Sequence, residues 1–390
     1  MHKVLILSNK IPYPADDGSS IAMARLLEAF LAHGEMDLWY YAINPDKHRK
    51  DPHTFSENAP AVRFESFSAN TSPSALGALL NLFEGSPYHV SRFFLPEVVA
   101  KLKTFEDQFF HTIIIEGAFM GQYLDLAQQK AQRVILRAHN VEWVIWDRLA
   151  QNEPNPIKRA YLKLQSQRLQ RFETKLSQRV GAVWTISPKD SLWFEPLNAK
   201  TGFFPNTVLE QQAPSGINPF KCHHLGALDW APNVQGLQWF LTQVWPVVLK
   251  RMPMAEFHIA GNNPPKKLDF QEHANVFFHG RVADANAFRA ANGISIVPLL
   301  AGSGMRIKIL ELAAQGIPMV STPIGAEGIF SPSDDAFFIQ SDPEKMAEVL
   351  TTLMEHPNRA LELGRKTQKD ILNRFGMDAT LQALNNLWEH

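Results

Sequence analysis

Between residues 294 and 322 the chain changes character several times in quick succession, and few folds accept that order. Residues 294–300 form a largely apolar run with the length and branching of a buried strand, and the run stops at Gly302, Ser303 and Gly304. Residues 305–315 contain neither Gly nor Pro, place Ile309, Leu312 and Ala313 on one helical stripe, and end at Gly316 with Pro318 soon after. Residues 319–322 then read as a second strand. A strand, loop, helix, strand unit belongs to parallel α/β sheets, where the loop lies at the carboxyl edge and the helix start points free N–H groups beyond it. The occupant expected there is an anion, phosphate first.

The side chains sharpen that expectation. Arg306 and Lys308 fall in the expected first turn, where cations oppose the helix dipole and gain nothing from the helix itself. An external anion is their natural partner. Glu311 follows Lys308 by three residues, so it can share that side of the helix and accept hydrogen bonds from hydroxyls. Phosphate at the loop and a diol at the carboxylate describe a nucleotide. The same spacing also suits a solvated helix with a surface Arg, Lys and Glu.

These residues resemble the C-terminal donor-site signature of retaining GT-B glycosyltransferases of the family 4 type, a group that includes many bacterial polysaccharide and lipopolysaccharide sugar transferases. In that family two Glu residues separated by seven others mark the helix, and the second binds the ribose of the nucleotide sugar. Glu311 matches the second position; the first falls on Ser303, so the pattern is incomplete and the contacts to the sugar depart from it. Gly325, Ala326, Glu327, Gly328 and Ile329 resemble the loop after the next strand. A further strand is expected over 276–282. The resemblance implies donor contacts from Gly302, Ser303, Gly304, Glu311 and Glu327, with the base near Arg281 and Val282. Family members often carry Gly-Arg with a Lys shortly after at the opening of the second domain. Here Gly226 and Ala227 stand there and no cation follows until Lys250, which leaves the diphosphate to Arg306 and Lys308.

A chain of 390 residues has the length of two ordinary domains. Its 38 Lys and Arg balance 39 Asp and Glu, so no global field argues for nucleic acid. One cysteine, Cys222, excludes an internal disulfide and a Cys-rich metal site, and fits a reducing compartment. The apolar run at Val4 to Leu7 is too short for a secretory signal and no window approaches a membrane span, so a cytoplasmic protein is expected, at most peripheral at the membrane's inner face.

Residues 3–8 read as a first buried strand before a helix from about 19 to 33, and only Gly18 stands where a dinucleotide fold would place three glycines. A nicotinamide enzyme is disfavoured. Gly18 resembles the family's glycine whose backbone approaches the donor, or is an ordinary turn glycine. Glu116 ends the strand at residues 112–115, as a partnered buried acid or a functional one. The strand at residues 134–136 runs into Arg137, Ala138, His139, Asn140, Val141 and Glu142. In the family a His here contacts the donor sugar, and His139 matches it. Residues 157–179 form a long helix with seven Lys or Arg and one acid, its apolar stripe running through Leu162, Leu169, Phe172 and Leu176. Such a helix can rest on an anionic membrane or pack with a solvated basic face.

The expected domains are residues 1–206, an N-terminal acceptor-side Rossmann-like domain, and 221–375, the nucleotide-sugar domain. Residues 207–220, rich in Gln, Pro, Ser and Gly, read as a linker, and 376–390 as a helix crossing back. No His-Glu-x-x-His, Gly-x-Ser-x-Gly or phosphate-binding Gly-x-x-x-x-Gly-Lys-Ser/Thr occurs. Cys222, His223 and His224 could hold a metal only if strand neighbours pointed the same way, so no metal is expected. The fold expected is α/β GT-B, two doubly wound Rossmann-like domains facing a central cleft. Its expected activity is a retaining, metal-independent transfer from a UDP- or GDP-linked sugar to a glycan or lipid-linked acceptor, without a further cofactor. A nucleotide-sugar epimerase using Glu116 and Glu142, or an inactive nucleotide-binding relative, would share the fold.

Overall fold

The structure is a computed structural model that describes residues 1–15, 17–228, 230–261, 264, 272–300, 305–330 and 338–388. It divides into two compact units, Met1–Thr207 with the chain from Thr380 onward, and Val208–Ala379.

The first unit is built on a seven-stranded sheet in the order β3-β2-β1-β4-β5-β6-β7. The strands are β1 (His2–Ser8), β2 (Met36–Pro45), β3 (Arg63–Ala69), β4 (Phe110–Glu116), β5 (Ala131–Ala138), β6 (Ala182–Thr185) and β7 (Thr201–Phe203). Every neighbouring pair is parallel. That is why the central strands read as unbroken apolar runs: Val4 to Leu7 and Ile113 to Ile115 are fully buried, covered on both faces. The order reverses direction between β1 and β4, so the loops that follow these two strands diverge and leave the carboxyl edge open between them. Ser8 pairs with Glu116, and Glu116 with Arg137, which sets three polar side chains side by side at that edge.

The Pro156–Arg179 helix buries Gln165, Ser166, Leu169, Glu173, Leu176 and Ser177. Leu176 closes over Gly121, where an added Cβ would displace the Leu176 side chain. Its apolar stripe is thus spent largely on the core, and what it offers to solvent is its cations, unlike a helix that rests its own apolar face on a bilayer. The Met377–Trp388 helix ends in the first unit: Thr207 donates its hydroxyl to Thr380 at 2.9 Å, and Arg133 donates to the Trp388 carbonyl at 3.1 Å.

The second unit has a six-stranded parallel sheet among its described residues, ordered β10-β9-β8-β11-β12-β13. Its strands are β8 (Lys221–Leu225), β9 (Glu256–Ala260), β10 (Val276–Phe278), β11 (Ile294–Val297), β12 (Met319–Ser321) and β13 (Phe338–Ile339). The stretch 208–220 has no regular element but is bound to this unit: Val208 donates its N–H to the Phe375 carbonyl at 2.8 Å, and Gln368 its amide to the Gln211 carbonyl at 2.7 Å.

Three expectations are corrected here. The apolar run from 294 is a strand only to Val297, because Pro298 has no N–H to continue a ladder. The strand expected over 276–282 ends at Phe278, so Arg281 and Val282 lie in the loop beyond Gly280, which adopts a φ of 65°. The helix expected from Met305 spans Ile307–Ala314, with Arg306 extended at φ −90° and ψ 93° as its cap. No Ser, Thr, Asp or Asn stands at 305 or 306 to cap an earlier start. Lys308 alone of the two cations is therefore in the first turn. Its stop is as expected, with Gly316 at φ 67°.

Candidate functional site

At the carboxyl edge of the second sheet, close backbone approaches hold the loops together. A Cβ at Gly236 would meet the Pro298 carbonyl oxygen, and one at Gly261 the Gly226 carbonyl oxygen. Thr322 clamps the loop after β11: its hydroxyl donates to the Leu299 carbonyl and accepts from the Gly325 N–H at 3.1 Å. The Pro323–Ala326 helix follows, then half-buried Glu327 and Gly328 at φ 80°.

Lys308 lies within electrostatic reach of His224, the penultimate residue of β8. His224 is buried and its Nδ1 donates to the Ile296 carbonyl at 3.0 Å, so Nε2 is the acceptor nitrogen. Burial, partly offset by that hydrogen bond and reinforced by the Lys308 charge, pushes its pKa down to about 4. The ring is neutral at neutral pH and so adds no second positive charge beside Lys308. The Arg306 guanidinium sits 5.8 Å from the centroid of the half-exposed Trp230 ring, a cation–π contact that gives the cap residue a fixed place.

Glu311 occupies the second turn and accepts from Arg289 Nη2 at 3.2 Å. Arg289 is itself held by Asn286 at 3.1 Å and is only 6% exposed, whereas the Glu311 side chain is 28% exposed. The carboxylate is thus oriented from behind while its open side stays accessible. Gly302, Ser303 and Gly304 lie outside the described residues.

In the first unit, Gly18 is the exposed first residue of the Gly18–His33 helix. Its N–H groups already have an anion: the Asp17 carboxylate accepts from Ser19 and Ser20 N–H at 3.0 Å and pairs with Lys10 at 2.6 Å. Burial works against ionising Asp17, but the Lys10 charge and the hydrogen bonds from Lys10 and Ser20 outweigh it and hold the carboxyl well below the usual range.

His139 stands just past β5. Its Nε2 lies 2.5 Å from Glu116 Oε1, and Arg137 Nη1 reaches the same oxygen at 2.5 Å. Glu116 and Arg137 are fully buried, and the guanidinium also lies 5.7 Å from the Phe204 ring centroid. Burial opposes the Glu116 charge, but Arg137 and then His139 overcome it and hold the carboxyl below its ordinary value. A carboxylate facing Nε2 fixes that nitrogen as the N–H side of His139 and turns Nδ1 away as the other contact point.

Behind this cluster, Glu173 caps the Glu142–Asn152 helix, accepting from the Glu142 and Trp143 N–H groups at 3.0 and 2.8 Å. Glu142 is half-buried at the same helix start. Burial pushes its carboxyl up to about 7, partly offset by a hydrogen bond from Asn140 and reinforced by Asp190. A carboxyl whose pKa is higher folded than unfolded binds its proton more tightly in the folded state, so stability falls as pH rises from about 4.5 to about 7. Glu142→Gln should therefore flatten that slope and melt a few degrees higher than wild type at pH 8. Melting temperature against pH for both proteins checks this; parallel curves would refute it.

The sequence singled out Glu116 and His139 separately but passed over Arg137, whose signal was a cation directly after the apolar run Val134 to Leu136. Arg289 and Trp230 were also passed over, His224 was weighed only as a metal ligand, and only strand and helix packing brings the three to the site. His223 donates from Nδ1 to the Asn292 carbonyl at 3.2 Å, and no group of three or more His, Cys, Asp or Glu is placed to hold a metal among the described residues.

Residues 219–356 match the family described as Glycosyl transferases group 1. Over 363 residues, 88% of each chain, the sequence is 24% identical to an uncharacterized 44.6 kDa protein in the cps region of Klebsiella pneumoniae. The fold is shared with TarM, at TM-score 0.70 and 11% identity over 100% of this chain and 99% of that one. It is also shared with Anabaena Alr3699/HepE in complex with UDP-glucose, at TM-score 0.63 and 16% identity over the whole of both chains. The lipopolysaccharide outer core galactosyltransferase WaaB follows at TM-score 0.56 and 11% identity over 99% of each. Two parallel-sheet Rossmann-like units in one chain are the architecture of these structures. The chain thus has the GT-B fold, and the stretch of its second unit from 219 to 356 matches a glycosyltransferase family.

Proposed function

We propose that the protein transfers a sugar from a UDP- or GDP-linked donor to a glycan or lipid-linked acceptor, with retention of configuration and without a metal ion. The observation that carries this reading is the grouping of Arg306, Lys308 and Glu311 at the carboxyl edge of the second sheet, with Glu311 oriented by Arg289. The Anabaena structure contains UDP-glucose, a TarM structure from S. aureus contains UDP and alpha-GlcNAc-glycerol, and the Klebsiella relative lies in a cps region; each agrees with this substrate class.

In this reading Glu311 accepts the ribose hydroxyls, and Arg306 and Lys308 take up the charge that develops on the departing diphosphate. N–H groups following Gly302 and Gly304 would add to them. His139, presenting Nδ1, is assigned to the donor sugar with Ser303, Gly18 to the donor, Arg281 and Val282 to the base, and Glu327 to the donor. The acceptor hydroxyl forms its bond to the anomeric carbon on the face from which the diphosphate leaves. Its proton passes to a phosphate oxygen of the leaving group as the carbon–oxygen bond to the nucleotide breaks.

A nucleotide-sugar epimerase would need a proton-transferring group, and Glu116 is held as a carboxylate by Arg137; Glu142, at about 7, is the residue suited to that role. A donor altered in the absence of any acceptor would establish that second reading.

A thermal-shift series against UDP, GDP, CMP and dTDP and their sugars tests the site. A nucleotide at a hundred times its Kd should add about 2.7 kcal/mol of stability. Glu311→Ala should abolish most of the shift for the one class that gives it. If no nucleotide shifts the wild type, the donor site is not where we place it.

A further inference from the structure

The Ala75–Glu84 helix of the first unit is inside out. Its sequence sets Leu76, Leu79, Leu80 and Phe83 on one stripe, and that stripe is the solvent side, with exposures of 67%, 56%, 56% and 87%. The side turned to the protein carries Gly77, Ala78 and Asn81. Buried Asn81 accepts from Gln165 Nε2 at 3.0 Å and donates to the Ser86 carbonyl at 3.1 Å. Arg168 donates to the Asn81 and Leu82 carbonyls, each at 2.8 Å. Ser74 caps the helix start by accepting from the Gly77 N–H at 2.9 Å, and Gly77 lies under the Tyr88 hydroxyl, which an added Cβ would displace. Hydrogen bonds therefore hold the helix in the orientation that displays its apolar stripe, where burial alone would turn it over.

The charge beside the stripe is mainly positive. Arg168 belongs to the Pro156–Arg179 helix, and Arg171 and Lys175, three and seven residues further, share its side of that helix and are exposed. The one acid on the Ala75–Glu84 helix is Glu84, at its end. A second copy of the chain docked on this patch would bring these cations against their own kind, whereas an anionic bilayer surface complements both the cations and the stripe.

We propose that this patch is a membrane-docking surface: Leu76, Leu79, Leu80 and Phe83 enter the headgroup–acyl boundary, and Arg168, Arg171 and Lys175 lie over anionic headgroups. The inference does not depend on the donor site. It is tested by co-sedimentation of the full chain with vesicles of phosphatidylcholine, with and without phosphatidylglycerol. The wild type should bind the anionic vesicles and be weakened by salt. Leu79→Ser/Leu80→Ser/Phe83→Ser should weaken binding at least about tenfold, given what the loss of buried Leu and Phe surface costs. Arg171→Glu/Lys175→Glu should weaken binding to anionic vesicles about tenfold or more and leave residual binding to neutral ones unchanged. The melting temperature and nucleotide-induced shift of the triple variant should match the wild type, since its changes are on an exposed face. Three results would each overturn the proposal: no binding to either vesicle, binding that the triple variant retains, or a wild-type dimer in light scattering that the triple variant abolishes.

Discussion

Lys308→Ala should lower kcat for sugar transfer by about a hundredfold to a thousandfold, the usual effect of removing one preorganised group from a developing oxyanion. Lys308 is the cation in the first turn of the Ile307–Ala314 helix, and the nearby imidazole, His224, is kept neutral by burial, so no second positive charge from that ring replaces it. The interaction strengthens as the diphosphate departs, so kcat should fall more than KM rises. Glu311→Ala should show the opposite balance: ribose contacts exist in ground and transition state alike, so nucleotide Kd and donor KM should rise about tenfold to a hundredfold with a smaller change in kcat. Steady-state kinetics with UDP or GDP release as the readout separates the two. A Lys308→Ala enzyme within about threefold of wild-type kcat would remove Lys308 from the leaving-group role.

Glu116→Gln should be the most destabilising single change in the first unit. It leaves the fully buried Arg137 without a countercharge, which costs about 3 to 5 kcal/mol in comparable buried pairs. In a unit of this size that lowers the unfolding transition by about 10 °C or more. Replacing both partners, as in Glu116→Gln/Arg137→Met, should recover part of the loss, because no buried charge is then uncompensated. The carboxyl is held below its unfolded value, so the stability it contributes is present above the ordinary carboxylate range and disappears as pH falls through its folded pKa. Differential scanning calorimetry of the three proteins between neutral pH and pH 3 checks both statements. Equal melting temperatures for wild type and Glu116→Gln would show that Arg137 is neutralised elsewhere.

Several sequence readings carried over into the structure with small changes of boundary. The strand at residues 3–8 is β1, the helix from about 19 to 33 is Gly18–His33, and the basic helix at 157–179 is Pro156–Arg179. Each is marked by signals that act within a few residues: an apolar run, a capping Asp, or a Pro in the first turn behind a capping Asn. The readings that shifted lacked such a signal. Nothing between Gly304 and Ile307 offers a capping side chain, so the helix start could not be placed from spacing. The end of β10 depends on how far β9 extends to pair with it, since the register runs only from Val276 to Phe278.

The sequence by itself determined the alternation of buried strands and helices, the α/β class, and the place of Lys308 and Glu311 on one helix behind a glycine-rich loop. Those follow from hydrophobic period, caps and glycine positions, which are local properties of the chain. Tertiary structure decided which charges neutralise one another and which face outward. Glu116 meets Arg137 only because β4 and β5 pair in that register, and Glu311 meets Arg289 only because two helices pack beside the same sheet edge. The Ala75–Glu84 helix shows its apolar stripe to solvent because Gln165 and Arg168 bind it at Asn81. Ion pairing and desolvation depend on distances between segments remote in the chain, and no periodicity within a segment encodes them.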